Sequence, residues 1–318
     1  MTREISLPSL LVGCGAGLLS AVLFASLIGG SLITLPLFLA SPLPLMIAGL
    51  GWGAFAGLLG AFVAALVLLV ELGTPAALVS LGAAGVPALL LTTLAGREIA
   101  TPTGTVRPSI GRIATIAAVT MAIATVAGAI GIGFDVAETT RQVVAAFHEA
   151  LASGGTPPAD LPEAMALEPF VRASVRVMPA FFPGFWTLVL ILDLILAARI
   201  VRRAGRLTRP WEDLALIEAS PWTGLVFAAG FAGAFLPGTI GILASIAAGA
   251  AFAPLFLVGM GVLTVLTRST DMRWILRSTA YGLVLLFPVA ALVMALTGLA
   301  ETFLDLRGRT RSSPPGEE

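Results

Sequence analysis

Apolar residues run in stretches of about twenty along nearly all of this 318-residue chain, with short polar clusters between them. One α-helix needs about that many to cross roughly 30 Å of hydrocarbon. The pattern therefore predicts an all-α fold, a polytopic integral membrane helical bundle. Windows of about nineteen residues place helices near 7–28, 32–51, 54–71, 75–95, 109–133, 180–201, 222–237, 240–267 and 278–300. The turn at Gly51-Trp52-Gly53 carries no charge. That leaves open an alternative, a re-entrant 32–41 followed by one long helix from Pro44 to Val70.

Arginine sets the orientation, because positive residues prefer the cytoplasmic side. Arg97, Arg107 and Arg112 mark the connection after the fourth helix as cytoplasmic, and Arg199, Arg202, Arg203, Arg206 and Arg209 mark the one after the sixth. Two crossings separate them, so the assignments agree. The segment 134–178 then lies outside, with an acidic balance of Asp135, Glu138, Glu149, Asp160, Glu163 and Glu168 against Arg141, Arg172 and Arg176. Within it Val136, Val143, Val144, Phe147 and Leu151 share one side of a helix, as in a helix lying on the membrane surface. His148, the only histidine, sits there and reads as a solvated residue.

The carboxyl-terminal half holds a conflict. Two spans within 222–267 put Arg268, Arg273 and Arg277 inside, and one more helix sends Arg307, Arg309 and Arg311 outside. Either there are nine spans with an external tail, or one segment is re-entrant and there are eight, with Pro237-Gly238 as the expected break. Residues 1–311 form a single membrane domain, and 312–318 read as a disordered tail.

Small residues predict how the helices pack. Gly49, Gly53 and Gly57 recur every four residues, as do Gly13, Gly17, Ala21 and Ala25 in the first helix. Such rows let backbones approach where no hydrophobic effect drives association; the alternative is a partner protein docked on the Ala21-x-x-x-Ala25 face. Pro36, Pro87, Pro237, Pro254 and Pro288 fall within predicted spans, where each frees a backbone carbonyl.

Composition narrows the function. Charged residues make up 11%, hydrophobic ones 58%, and 18 basic residues balance 18 acidic ones. A soluble domain carries roughly 25% charged residues, and nucleic-acid binding needs a basic face. Neither description fits. The basic residues are all arginine, so a lysine-bearing phosphate loop is excluded, and one cysteine and one histidine exclude an intramolecular disulfide and a paired-histidine metal site. Cys14 follows Leu11-Val12-Gly13 as in a lipoprotein box, but cleavage there would cut inside a membrane helix. No catalytic residue, metal site or cofactor is expected.

Asp193, between Leu192 and Leu194, is the main candidate for a ligand-binding group. A carboxylate deep in a span costs about 2.5–3.5 kcal/mol on insertion scales, so it needs a cavity, a polar partner or a proton. Glu71, beside Gly73-Thr74-Pro75, is the second candidate and reads as interfacial.

Ser41-Pro42-Leu43-Pro44-Leu45 before a glycine-rich helix, Arg206-x-x-Arg209-Pro210, and the ending Gly298-Leu299-Ala300-Glu301-x-x-x-Asp305-Leu306-Arg307 give the chain its family resemblance. It resembles the bacterial membrane proteins grouped as domain of unknown function 2232. The resemblance implies a multi-pass protein of the bacterial plasma (inner) membrane and no particular chemistry. A more distant likeness, at Pro42, Pro44, Gly53 to Gly60, Ala21 and Ala25, is to the substrate-binding membrane subunits of energy-coupling-factor vitamin transporters. Rod-shape envelope proteins share short, proline-broken layouts of this kind. Two functions are carried forward. One is a subunit binding a small, vitamin-like molecule and energised by a separate module; a cavity lined by Asp193 or Glu71 would favour it. The other is a non-transporting scaffold for envelope proteins, favoured by a closed, packed bundle. Both contact membrane lipid, and the first adds partner subunits.

Overall fold

A computed structural model describes residues 6–97, 99–101, 104–153, 164–207, 215, 217–268 and 270–308. Arg209, Pro210 and the expected disordered tail at 312–318 lie outside the described residues. The first apolar stretches form α1 (Leu7–Ala25), α2 (Thr34–Leu39), α3 (Pro42–Trp52), α4 (Ala54–Leu72), α5 (Thr74–Ser80) and α6 (Val86–Gly96). Cys14 sits inside the unbroken α1. Gly53, at φ 100°, ends α3 and starts α4, so the chain adopts two helices at this turn and not the long helix from Pro44 to Val70. A π turn at Leu81–Gly85 joins α5 to α6.

A two-stranded antiparallel hairpin, β1 (Ile99–Thr101) and β2 (Gly104–Val106), leads into α7 (Ile110–Gly131). Next come α8 (Val136–Ser153), α9 (Ala164–Arg203), α10 (Pro221–Gly233), α11 (Gly238–Leu266), α12 (Arg273–Leu286) and α13 (Pro288–Leu304). Most of the prolines expected inside spans mark helix starts. Pro87 and Pro288 fall in the first two positions of α6 and α13, and Pro237 precedes α11. A missing N–H costs nothing at the starts of α11 and α13, whereas Pro87 follows the helical π turn and leaves the Ala83 carbonyl without its usual donor. Pro254 alone of the five lies well inside its helix.

Residues 154–163 of the segment expected outside lie beyond the described residues, and its described parts, 134–153 and 164–178, differ from a surface helix and a loop. Residues 164–178 belong to α9, whose 40 residues extend about 60 Å at ~1.5 Å each, twice the hydrocarbon thickness. The helix α8 packs along α9. Its inward face carries Thr140 and Val144, with His148 half-buried, while Val143 and Phe147 stay exposed. The apolar stripe read from sequence is thus split between the contact and the surface.

Among the described residues, seven helices or joined helices are long and apolar enough to cross a membrane, and the pair α12–α13 passes that test only as a bent unit. Two of the nine expected spans are not met as single helices of that length. With 13 residues, α10 reaches only about 20 Å. The helix expected at 278–300 is broken at Phe287–Pro288, where the axes turn by 116°.

Side-chain contacts fix which ends lie together. Gly49 of α3 faces Thr92 of α6, and Gly51 faces Val201 of α9. The Arg206 guanidinium sits 4.3 Å above the Trp52 ring and donates to the Gly51 carbonyl. Ile110, at the start of α7, packs with Ile217, Val258 and Val262, and Leu306 joins them. These ends therefore gather at one arginine-rich end of the bundle. Both ends of the α12–α13 pair are there too, since Arg277 donates to Thr267 and to the Thr264 carbonyl of α11, while Leu306 follows α13. The pair goes in and comes back. The break that reconciles the arginine clusters lies at Phe287–Pro288, and Pro237-Gly238 is a turn between α10 and α11.

The core uses backbone contact more than large side chains. A Cβ on Gly184 of α9 would come within 2.7 Å of the Gly249 carbonyl oxygen of α11, and one on Gly230 of α10 within 2.8 Å of the Ala244 oxygen. In lipid such close approach is what lets helices gain dispersion energy. Trp186 anchors the centre: its ring packs 5.3 Å from Phe38, and its Nε1 donates to the Ala83 carbonyl at 2.6 Å.

Candidate functional site

Asp193 lies seven residues after Trp186 and eight before Val201, spacings that return to one face of a helix. That face of α9 turns to α2 and α3, through Trp186 with Phe38 and Val201 with Gly51. The neighbours Leu192 and Leu196 point outward and are exposed, whereas Asp193 is only 6% exposed. It stands ten residues before Arg203, about 15 Å along the helix and so near half the hydrocarbon depth. Among the described residues its Oδ2 has no hydrogen-bond partner. A buried polar atom left unpaired costs on the order of 1–3 kcal/mol or more, so this position favours a donor, a cation or a proton on the carboxylate.

A second unpaired buried atom belongs to the neighbouring element. Ser41, the residue before α3, is fully buried; its carbonyl accepts from Ser20 Oγ at 2.7 Å, while its own Oγ has no partner among the described residues. Sequence reading passed over Ser41 except as part of a motif. Glu71 is exposed at the last turn of α4. The two described cavities are lined by neither Asp193 nor Glu71.

The small-residue rows are spent within the chain. Ala21 is buried against Ala64 and Leu68 of α4, and Ala25 packs on the same cluster. Gly49 and Gly57 do not continue one stripe, because Gly53 breaks the helix between them; they face each other across the α3–α4 turn, where a Cβ on Gly57 would lie 3.2 Å from Gly49 Cα.

The arginine-rich end holds a polar site that the sequence signalled only as an ending motif. Arg307 donates through Nε to Glu301 Oε1 at 2.5 Å, and through its two terminal nitrogens to the carbonyls of Ala215 (2.9 Å) and Ile217 (3.1 Å). Its backbone N–H also reaches Glu301 Oε2 at 3.1 Å. The two side chains are 10% and 5% exposed. Asp305 adopts φ 46°, which turns the chain back, and its carboxylate accepts from the Gly308 N–H. Close approach of α13 to α11 at Gly298 and Gly259 sets Glu301 in place. A cavity of about 370 Å³ opens beside this clamp, between Glu218, Val258, Thr302 and Asp305. Among the described residues no group of three His, Cys, Asp or Glu is placed to hold a metal.

A multi-pass helical bundle with unpaired polar atoms inside it is what the geometry gives. Comparison with known proteins adds a family: a model described as Predicted membrane protein (DUF2232) matches residues 18–302. The chain belongs to this family. The match begins within α1 and ends just after Glu301, so it takes in Asp193 and Ser41 and leaves Arg307 beyond it. No curated protein and no solved structure matches the chain.

Proposed function

We propose that this DUF2232 protein is a membrane-embedded subunit that binds a small, vitamin-like molecule and moves it across the bilayer, with energy from a separate module and no enzymatic chemistry of its own. The observation that carries this reading is Asp193, buried at half depth with one oxygen unpaired. Ionisable residues inside membranes mark substrate, ion or proton routes by default. Such a group costs several kcal/mol, and a bundle with no use for it loses nothing by carrying leucine instead. Closed packing around Asp193 is compatible with a carrier, since alternating access shuts over the site in part of the cycle.

A second reading, a non-transporting scaffold for envelope proteins, draws on the backbone-to-backbone packing and on cavities that lie away from Asp193. Asp193→Leu separates the two. In a carrier, stabilisation of the purified protein by a small-molecule extract of its host, read as a rise in Tm, disappears in the variant although the apo protein folds. In a scaffold, the extract shifts neither protein and the variant melts at the same or a higher temperature.

A further inference from the structure

We propose that α12 and the turn before it form a docking surface for an anionic phospholipid, whose headgroup meets Arg268 and Arg273 and whose chains lie along the far face of the helix. Between Gly238 and Ala300 the basic residues are Arg268, Arg273 and Arg277, and Asp271 is the single acid. All four fall within ten residues at the arginine-rich end. Successive positions at 100° put Arg273, Arg277 and Tyr281 in one row, with Trp274 beside it, and put Ile275, Leu283 and Leu286 on the far side, with Leu276 at its edge.

Each part of that division matches a part of a lipid. Arg277 is pinned to the carboxyl end of α11 through Thr267 and the Thr264 carbonyl, which fixes the row at the depth where α11 leaves the membrane. Arg273 is exposed, as are Trp274 at 69% and Tyr281 at 47%. Tryptophan and tyrosine favour headgroup depth, and an arginine fork binds phosphate bidentately. On the other side Ile275, Leu276, Leu283 and Leu286 are exposed and need apolar cover. A soluble anion offers no such cover and a neutral lipid offers no charge; an anionic phospholipid offers both.

The test uses the full chain, purified in mild detergent and mixed with equal amounts of phosphatidylglycerol and phosphatidylcholine, with retained lipid counted by native mass spectrometry. Retention of phosphatidylglycerol over phosphatidylcholine is expected, falling about fivefold for each arginine removed in Arg268→Gln and Arg273→Gln. Arg202→Gln with Arg203→Gln, exposed at the same end, is expected to retain it. Equal retention of the two lipids, or equal loss in both sets of variants, overturns the proposal. So does displacement of the lipid by millimolar inorganic phosphate, which would mark a free-anion site. Should an arginine variant fail to fold, the wild type decides: preference for phosphatidylglycerol that weakens with added salt supports the site, and a salt-independent preference overturns it.

Discussion

The indole Nε1 of Trp186 donates to the carbonyl oxygen of Ala83, and Ala83 stands four residues before Pro87. In a regular helix that carbonyl accepts from the residue at position 87, which has no N–H to give. The π turn at Leu81–Gly85 and the indole of another helix together accommodate the vacancy. Trp186→Phe keeps most of the ring and removes the donor, so it is expected to destabilise the fold by about 1–3 kcal/mol. Adding Pro87→Ala restores a local N–H and recovers part of that loss. A double-mutant cycle of detergent unfolding midpoints measures the coupling.

The clamp at the arginine-rich end makes a second prediction. Arg307 serves Glu301 and two carbonyls, whereas Glu301 loses only Arg307 when that residue is changed. Arg307→Ala leaves the buried Glu301 carboxylate without its cation, holding only the backbone N–H of residue 307, and removes the donor to two carbonyls; it is expected to cost about 3–5 kcal/mol. Glu301→Leu with Arg307→Leu removes both charges and is expected to cost less than Arg307→Ala alone. Thermal midpoints in one detergent rank the variants.

Two glycines of α1 separate packing from propensity. A Cβ on Gly17 would lie 2.5 Å from the Gly60 carbonyl oxygen and 2.7 Å from Val63 Cβ, while one on Gly15 meets nothing within 4 Å. Gly17→Ala should therefore destabilise by about 1–3 kcal/mol through overpacking. Gly15→Ala should be neutral or stabilise by up to ~1 kcal/mol. Equal effects at the two positions would contradict the α1–α4 contact.

The bent pair makes a prediction about sides. With both ends of α12–α13 at the arginine-rich end, a reporter fused after Glu318 and one inserted at Arg206 should respond to the same face of sealed vesicles. Opposite responses would return the chain to an external tail.

Much of this architecture was legible in the residues. Hydropathy located α1, the α2–α3 pair, α4, the α5–α6 rod, α7 and α11 to within a few positions, because a span must be apolar over its whole length. Where the reading slipped, tertiary packing decided. Hydropathy alone does not tell a straight span from one folded at Phe287–Pro288, and the conflict between arginine clusters was the trace that the fold left in the sequence. The spacing of Gly49, Gly53 and Gly57 suggested one stripe, but φ at Gly53 is positive, so the same spacing became a contact across a turn. Asp193 stood out because charge is rare in a span. Ser41 and Arg307 did not, since serine is unremarkable in a helix and an arginine near a chain end reads as solvated until the carbonyls of Ala215 and Ile217 are placed against it.

Water access to position 193 tests the central claim most directly. Cys14 is the single cysteine, so Asp193→Cys in a Cys14→Ser background carries one thiol, which a charged, membrane-impermeant thiosulfonate labels only where water reaches. The carrier account predicts labelling in native vesicles from at least one face, at a rate well above that of Leu190→Cys on the same helix. If Asp193→Cys stays unlabelled from both faces while Ser312→Cys reacts, position 193 is sealed in a static core and the account fails.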